Sequence, residues 1–225
     1  MNQAALGHYG YYHLLSGQDF LLRPIQEIQN FFEANAGREF LAVDEWPLDY
    51  RIMLNRIDKY HVVAKNRHIT MGIERIINPL QNAVGIHRIS NAELNNFAKG
   101  MNWASLTHNF VSCLLNEEEE IMKITSHSLC SDEIYKQIIF NKHKSEFVLY
   151  KKIKSREEAP GIPRYRFEVA ATMHQVDWER GAPYVYRKND FDDLIHSPYM
   201  FARKFSSSID KEIIDKLYDY VTQNG

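Results

Sequence analysis

Apolar residues near the start of the chain fall into a strand–helix–strand pattern. Residues 2–15 begin as a helical fragment and run into the aromatic stretch 11–15, which predicts a strand. A turn-rich break follows at residues 16–19, and Pro24 then opens a predicted helix. One face of that helix carries Ile25, Ile28, Phe31 and Phe32. Residues 40–43 predict a short buried strand, and this order of elements is typical of α/β folds.

The rest of the chain continues the mixed pattern. Residues 45–88 predict loops and short helices, and residues 91–97 predict a linker that approaches a strand. Residues 100–107 predict a turn into a helix carrying Phe110, Val111, Leu114 and Leu115, and the four-acid run 117–120 predicts its solvated end. Further strands are predicted at 146–150 and 169–178, a loop at 160–163 and a short acidic helix start at 190–195. The terminal amphipathic helix carries Ile209, Ile213, Ile214, Leu217 and Tyr220.

Two adjacent carboxylates, Asp132 and Glu133, stand where another helix should begin. Ser131 is a suitable N-cap, and Ile134 and Ile138 recur at helical spacing after it. The helix dipole favours negative charge in a first turn by about 0.3–1 kcal/mol, which helps to keep a carboxylate ionised, as a general base requires. Acids in first turns are also common without any catalytic role.

Composition indicates an ordinary globular chain. Of the 225 residues, 44% are apolar and 25% are charged, and the formal net charge of −2 gives no general argument for nucleic acid. Two cysteines are too few for a disulfide framework, so a reducing, cytoplasmic location is expected. The first twenty residues lack a signal-peptide pattern, and the apolar runs are too short to span a bilayer. At most, a peripheral membrane association is expected.

One basic stretch and one acidic motif have simple alternatives. Residues 51–88 contain seven Lys or Arg, two acids and three His, which could bind a polyanion but more simply form a solvated surface. The D-x-D match at Asp190 and Asp192 could hold a divalent metal or merely open a helix. Phosphate-loop, dinucleotide, zinc-protease and serine-hydrolase motifs are absent from the sequence.

Several short segments carry a more specific resemblance together. They are S-G-Q-D-F at 16–20, N-W-A-S-L-T at 102–107, C-S-D-E at 130–133, D-W at 177–178 and A-R-K-F at 202–205. In this order and spacing the chain resembles the core-2/I-branching β-1,6-N-acetylglucosaminyltransferases and their xylosyltransferase relatives, particularly the shorter bacterial members. The resemblance runs from about residue 11 to residue 220 and is weak between about 44 and 93.

The resemblance implies a fold and an activity. It implies a single domain over residues 1–225 with a GT-A-like, Rossmann-like mixed sheet flanked by helices. It also implies an inverting enzyme that needs no metal or other cofactor and moves a GlcNAc-like sugar from a UDP-sugar to a glycan hydroxyl, in surface polysaccharide or glycan synthesis. The expected partners are therefore the UDP-sugar and a glycan acceptor, with no nucleic acid.

The resemblance also assigns roles to residues of this chain. Glu133 matches the general base, with Asp132 supporting it. Lys204 matches the cation that neutralises the leaving diphosphate, with Arg203 and His174 as further diphosphate-binding candidates. The acceptor or donor pocket is assigned to Asp19, Gly17, Trp103, Ser105 and Trp178. The chemistry is coherent, because a metal-free displacement needs fixed cations for the leaving group and a base for the attacking hydroxyl.

Two departures from the family affect this expectation. The family usually has an arginine close to His174, so either His174 takes a weaker, pH-dependent role, or Arg166 or Arg180 substitutes, or donor binding is impaired. The family also begins with a further segment that carries the first strands and part of the uracil-ribose pocket. A sheet without those strands should expose an edge and favour poor solubility or a homodimer. A catalytically impaired remnant that binds glycans is the alternative function.

Overall fold

The computed structural model describes residues 1–45, 50–61, 67–90, 94–155 and 157–223, and shows a mixed α/β protein of helices and small sheets. The helices are α1 Asn2–Ala5, α2 Ile25–Ala34, α3 Tyr50–Asp58, α4 Arg67–Ala83, α5 His108–Asn116, α6 Glu118–Thr125, α7 Tyr135–Lys142, α8 Arg164–Thr172, α9 Phe191–Ile195 and α10 Lys211–Gln223. The strands are β1 Tyr11–Leu14, β2 Asp19–Leu21, β3 Arg38–Glu39, β4 Ala104–Thr107, β5 Val148–Leu149, β6 His174–Val176 and β7 Phe201–Arg203.

The strands form two groups. In the first, β1 pairs antiparallel with β4, and a bridge between Phe40 and Ser105 connects β4 to the parallel pair of β3 and β5. In the second group, β7 is central, with β2 antiparallel on one side and β6 parallel on the other. This register places Asp19 opposite Arg203 and His174 opposite Phe201. Segments that are far apart in sequence therefore meet along β7.

Apolar side chains pack on both faces of the first group. One cluster joins β4 to α5 and α7 through Leu106, Phe110, Leu114, Ile139 and Phe140. A second cluster joins α2 to β7 through Ile28, Phe32, Phe40, Met173 and Phe201. Burial of such side chains contributes roughly 1.5–3 kcal/mol each, so these clusters hold the strands in place despite their short length.

A buried carboxylate connects β3, β4 and α5. The Thr107 backbone N–H donates to Glu39 Oε2 at 2.9 Å, and the Thr107 hydroxyl donates to Glu39 Oε1 at 2.5 Å. The same hydroxyl accepts from the Phe110 N–H at 3.2 Å and so caps α5. Glu39 is 1% exposed, and burial raises the pKa of its carboxyl group.

A close backbone approach fixes the loop that leads into β4. A Cβ at Gly100 would lie 1.9 Å from the Ala42 carbonyl oxygen and 2.4 Å from Gln137 Nε2, so only glycine fits there. Gln137 Nε2 donates to the Ala42 carbonyl at 3.1 Å. The path of residues 100–103 is therefore set by packing against the buried segment 40–43.

The structure differs from the sequence predictions at several elements. Residues 164–172 are helix α8 where the predicted strand 169–178 begins, and only His174–Val176 is extended. Short apolar runs fit both a buried helix and a strand, so periodicity alone could not separate them. Residues 104–107 form β4 rather than a turn, because all four are buried between β1 and Phe40. The acids at 118–120 begin α6 instead of ending a helix.

Other predicted elements lie close to their expected places. Helix α2 begins after Pro24 and buries Ile28 and Phe32, although Ile25 is exposed. Residues 40–43 are buried as predicted, but only Phe40 joins a ladder. Part of the 45–88 stretch and residues 91–93 of the predicted linker lie outside the described residues. Ile209 is exposed and precedes α10 instead of lying on its apolar face.

Candidate functional site

A buried ion pair joins the S-G-Q-D turn to the A-R-K-F segment. Arg203 Nη1 lies 3.2 Å from Asp19 Oδ1 across the β2–β7 pair. The Ser16 hydroxyl donates to Asp19 Oδ1 at 2.8 Å, and the Asp19 N–H donates back to the Ser16 carbonyl at 3.1 Å. The Asp19 side chain is 0% exposed and that of Arg203 is 20% exposed. The pair therefore fixes the turn against the end of β7.

Two aromatic rings complete this cluster. The Arg203 guanidinium carbon lies 5.0 Å from the centroid of the Trp103 ring, which is a cation–π distance. The rings of Trp103 and His174 have centroids 5.0 Å apart, and His174 Nε2 lies 3.8 Å from Asp19 Oδ2. Asp19, Trp103, His174 and Arg203 are called the cluster below. Three of the segments noted in the sequence, separated by up to 184 positions, thus meet in one place together with His174.

His174 cannot replace a permanently charged arginine. Its side chain is 1% exposed, and burial lowers its pKa to about 4, so the imidazole is neutral at neutral pH. The Asp19 carboxylate raises the pKa of His174, but this effect is smaller than that of burial. The lowered pKa disfavours a positive charge on His174 near neutral pH, and the alternatives for this position stay predictions. A neutral imidazole can still donate or accept one hydrogen bond.

Buried polar atoms without a hydrogen-bond partner concentrate around the cluster. Within the described residues they include His174 Nε2, Arg203 Nε and Asn102 Oδ1. Asn102 and Gln175 are the chain neighbours of Trp103 and His174. Buried polar groups in folded proteins are almost always hydrogen-bonded, so this region is suited to a polar ligand. Sequence reasoning missed Asn102, Gln175 and Tyr186, although the first two flank predicted residues.

Lys204 follows Arg203 of the cluster in the chain. Its carbonyl accepts from the Tyr186 N–H at 2.9 Å, which anchors the backbone after β7. Its ammonium has no hydrogen-bond or ion-pair partner in the described part of the chain, and the residue is half-buried. Arg203 is already neutralised by Asp19, so Lys204 is better placed to receive an anion.

The two arginines considered as substitutes for the family arginine are engaged elsewhere. Arg180 pairs with Asp177 and with Asp190, with its Nη1 2.6 Å from Asp190 Oδ1. Arg166 pairs with Glu179 at the surface. Arg180 therefore has no free charge to offer, whereas Arg166 is only loosely held by an exposed pair.

Trp178 lies in a separate aromatic pocket of about 300 Å³. The walls are formed by Tyr165, Gln175, Tyr186 and Tyr199, and Trp178 itself is 38% exposed. The side chains of Gln175 and Tyr186 are within hydrogen-bond reach of each other in this pocket. Aromatic faces with a few polar groups suit a sugar ring, which presents both C–H faces and hydroxyls.

The two predicted catalytic acids lie in a tight turn. Ser131–Glu133 is a 3-10 turn, and α7 begins only at Tyr135, so Ser131 is not the N-cap of the helix as predicted. The Glu133 carboxylate is 31% exposed and lies 3.2 Å from Arg56 Nη1 on α3. The Glu133 carbonyl accepts from the Gly100 N–H at 2.9 Å. Glu133 thus anchors the loop that ends at Trp103 but does not touch the cluster.

Lys136 is a buried neighbour of these acids that sequence reasoning missed. It is 2% exposed, and its ammonium donates to the Asp132 carbonyl. Burial lowers its pKa to about 8. Asp132 itself is exposed, and its supporting role stays a prediction. The signal that could have indicated Lys136 is its position one helical turn after Asp132, on the face shared with Ile139 and Phe140.

The remaining predicted site residues either have structural roles or have no visible role. Ser105 is buried in β4, and its hydroxyl lies 2.7 Å from His13 Nδ1, away from the cluster. Gly17 adopts no left-handed conformation and has open space around it, so the turn does not require glycine there. Asp190 accepts from Arg180 and from the Arg187 N–H. In the described residues no group of three or more His, Cys, Asp or Glu is arranged to hold a metal ion.

Comparison of the chain with models of known protein families and with the sequences of curated proteins finds no match. The family resemblance therefore rests on the short segments themselves and on where the fold brings them. Within the described residues, no helix is both long and apolar enough to cross a membrane.

Proposed function

We propose that this chain is an inverting, metal-independent glycosyltransferase domain of GT-A-like fold, moving a GlcNAc-like sugar from a UDP-sugar to a glycan hydroxyl. The observation that carries the proposal is that Asp19, Trp103 and Arg203, from three of the quoted segments, meet with His174 around unpartnered polar atoms. Unrelated surface motifs would have no reason to converge on one buried polar cluster.

In this proposal the leaving diphosphate lies beside Lys204. The Lys204 ammonium is free to pair with phosphate oxygens, and the neighbouring Arg203 remains oriented by Asp19 and Trp103. A fixed cation stabilises the negative charge that develops as the glycosidic bond to UDP breaks. His174, being neutral, contributes a hydrogen bond and not a charge.

Glu133 is the proposed base for the acceptor hydroxyl. Its carboxylate is partly exposed and is held by Arg56, while its backbone is tied to the loop that ends at Trp103. The acceptor would bind between Glu133 and the cluster, with the Trp178 pocket available for a further sugar ring. Proton removal by a positioned carboxylate is worth about 10²–10⁴ in rate.

The first experiment measures sugar transfer from UDP-GlcNAc to glycan acceptors by wild type and Glu133→Gln. We expect the variant to lose at least about a hundredfold in rate, since the amide cannot accept the proton. Glu118→Gln, at an exposed acid that opens α6, is the matched control and should retain activity. Transfer by Glu133→Gln at near wild-type rate would show that Glu133 is not the base.

A second experiment separates an active donor site from a catalytically impaired glycan-binding remnant. Calorimetric titration with UDP should show binding to wild type, weakened about tenfold by Lys204→Met, which corresponds to one lost charged contact. Lys152→Met, at an exposed lysine, is the control. A chain that binds glycans but not UDP would support the remnant instead.

The polyanion-binding alternative has less support from the structure. Arg56 pairs with Glu133, Lys59 is 3% exposed, and Arg88 donates to the carbonyls of Ile57 and Lys123. These cations of the 51–88 stretch are therefore used inside the protein. Binding to heparin or nucleic acid that falls steeply with salt would restore this alternative.

A further inference from the structure

Among the described residues, no strand lies beside one edge of β1. Ser105 lies opposite His13, but its N–H and C=O bond to Phe40 on the other side of β4. Ser105 and His13 are therefore a pair without mutual backbone hydrogen bonds, and the N–H and C=O of His13 point away from β4. Tyr11 lies opposite Thr107, whose N–H also bonds on the far side, so Tyr11 faces outward too. In the described part of the chain, the backbone groups of Tyr11 and His13 have no partner.

A cleft of about 660 Å³ lies beside this free edge. The side chains of Tyr11 and His13 form one wall, and Phe32 and Glu33 of α2 form another. Side chains of a strand alternate between its two faces, so a strand added to β1 would direct every second side chain toward this cleft. The exposed rings and methyl groups of Tyr9 and Leu15 at either end of β1 would be covered by such an addition.

The cleft is acidic. Glu33, Glu39 and Glu146 line it, and no Lys or Arg is among its described lining residues. His13 adds no positive charge near neutral pH, because desolvation lowers its pKa. In the part of the chain that the structure describes, Glu39 pairs with no cation, and its carboxylate accepts from the N–H and the hydroxyl of Thr107. A second copy of this chain would bring a second set of these acids to the same edge, which argues against self-association there.

We propose that the free edge of β1 is a docking surface for an extended peptide segment of a partner protein that carries Lys or Arg at alternate positions. The segment adds to β1 as a further strand, pairing with the backbone of Tyr11 and His13. Its basic side chains enter the cleft and pair with the exposed carboxylates of Glu33 and Glu146. This docking surface is separate from the cluster and does not depend on the proposed transferase activity.

The test uses the full chain and a fluorescent, end-capped peptide of sequence TVRVRVT, followed by fluorescence anisotropy. We expect saturable binding that falls about tenfold when both arginines are replaced by citrulline, a neutral isostere. Methylation of every interior backbone amide should abolish binding, because it removes the donors that pair with β1. Glu33→Gln should weaken binding about two- to fivefold, whereas Glu27→Gln, on the same helix but outside the cleft, should not.

Any of the following binding results would overturn the proposal. They are no binding of TVRVRVT at millimolar concentration, equal binding of the citrulline peptide, equal binding of the N-methylated peptide, and equal affinity of the Glu33→Gln and wild-type chains. Sedimentation that shows a dimer of this chain dissociated by the peptide would identify a second copy as the occupant, and would also overturn it.

Discussion

Replacing Asp19 by asparagine should destabilise the protein far more than loss of an ordinary surface charge. The Asp19 side chain is 0% exposed, and its carboxylate pairs with Arg203 and accepts from the Ser16 hydroxyl. Asparagine keeps the shape and can still accept one hydrogen bond, but it carries no charge. Arg203 then loses its only ion-pair partner within the described residues, while its Nε is already buried without a hydrogen-bond partner.

The size of the effect follows from the exposure of the two partners. A hydrogen bond to a charged group contributes about 1.5–3 kcal/mol, and breaking a fully buried pair costs about 3–5 kcal/mol. Because Arg203 is 20% exposed, some of its charge is solvated and the loss should be about 2–3 kcal/mol. For a chain of 225 residues this corresponds to a fall in Tm of about 4–12 °C.

Urea unfolding followed by tryptophan fluorescence measures this loss, provided that wild type and variant show the same dependence on urea. Asp215→Asn is the matched control, because Asp215 pairs with Lys211 at 2.6 Å on α10 but both side chains are more than half exposed. Its loss should be about 0.3–0.5 kcal/mol. A loss for Asp19→Asn within about 0.5 kcal/mol of the control would refute the view that the cluster is held by a buried ion pair.

Three further predictions concern other parts of the structure. Burial lowers the pKa of His174 from 6.5 to about 4, so the unfolded chain takes up a proton first as the pH falls. The free energy of unfolding of wild type should therefore fall by up to about 3 kcal/mol between pH 6.5 and 4. Urea unfolding of His174→Gln should lack this contribution. Gly100→Ala should cost about 3 kcal/mol or more in the same assay, because its methyl group meets a backbone carbonyl, whereas Gly17→Ala should change stability by less than about 1 kcal/mol. Thr107→Ala removes the cap of α5 and the hydroxyl contact to Glu39, so Tm should fall by about 4–8 °C, measured calorimetrically. An unchanged Tm would contradict the capping role.

Long periodic segments were predictable from local chemistry. Pro24 and the spacing of Ile28 and Phe32 indicated α2, and the spacing of Ile213 and Leu217 indicated α10, because an amphipathic helix must bury one stripe. The extended state of residues 104–107 was not predictable in the same way. That strand exists because β1 and Phe40 lie on its two sides, and neither is close to it in sequence.

In the candidate site too, the sequence identified residues but not their contacts. The sequence identified Asp19, Trp103, His174 and Arg203 as separate members of short segments, and the fold brings them into contact along β7. The sequence could not show that Arg56 pairs with Glu133, or that Ser105 faces His13 and not the cluster. Such pairings depend on which strands lie side by side, and register is not encoded in any one segment.

The sequence by itself determined the mixed α/β composition, the main amphipathic helices and the residue types available for chemistry. These features depend on residue spacing and on the preferences of neighbouring residues. Only the tertiary structure decided which charges are free, which are paired and which are buried without a charge. Lys204 is free, Arg203 is neutralised by Asp19, and His174 is neutral, because ionisation depends on burial and on partners that lie far away along the chain.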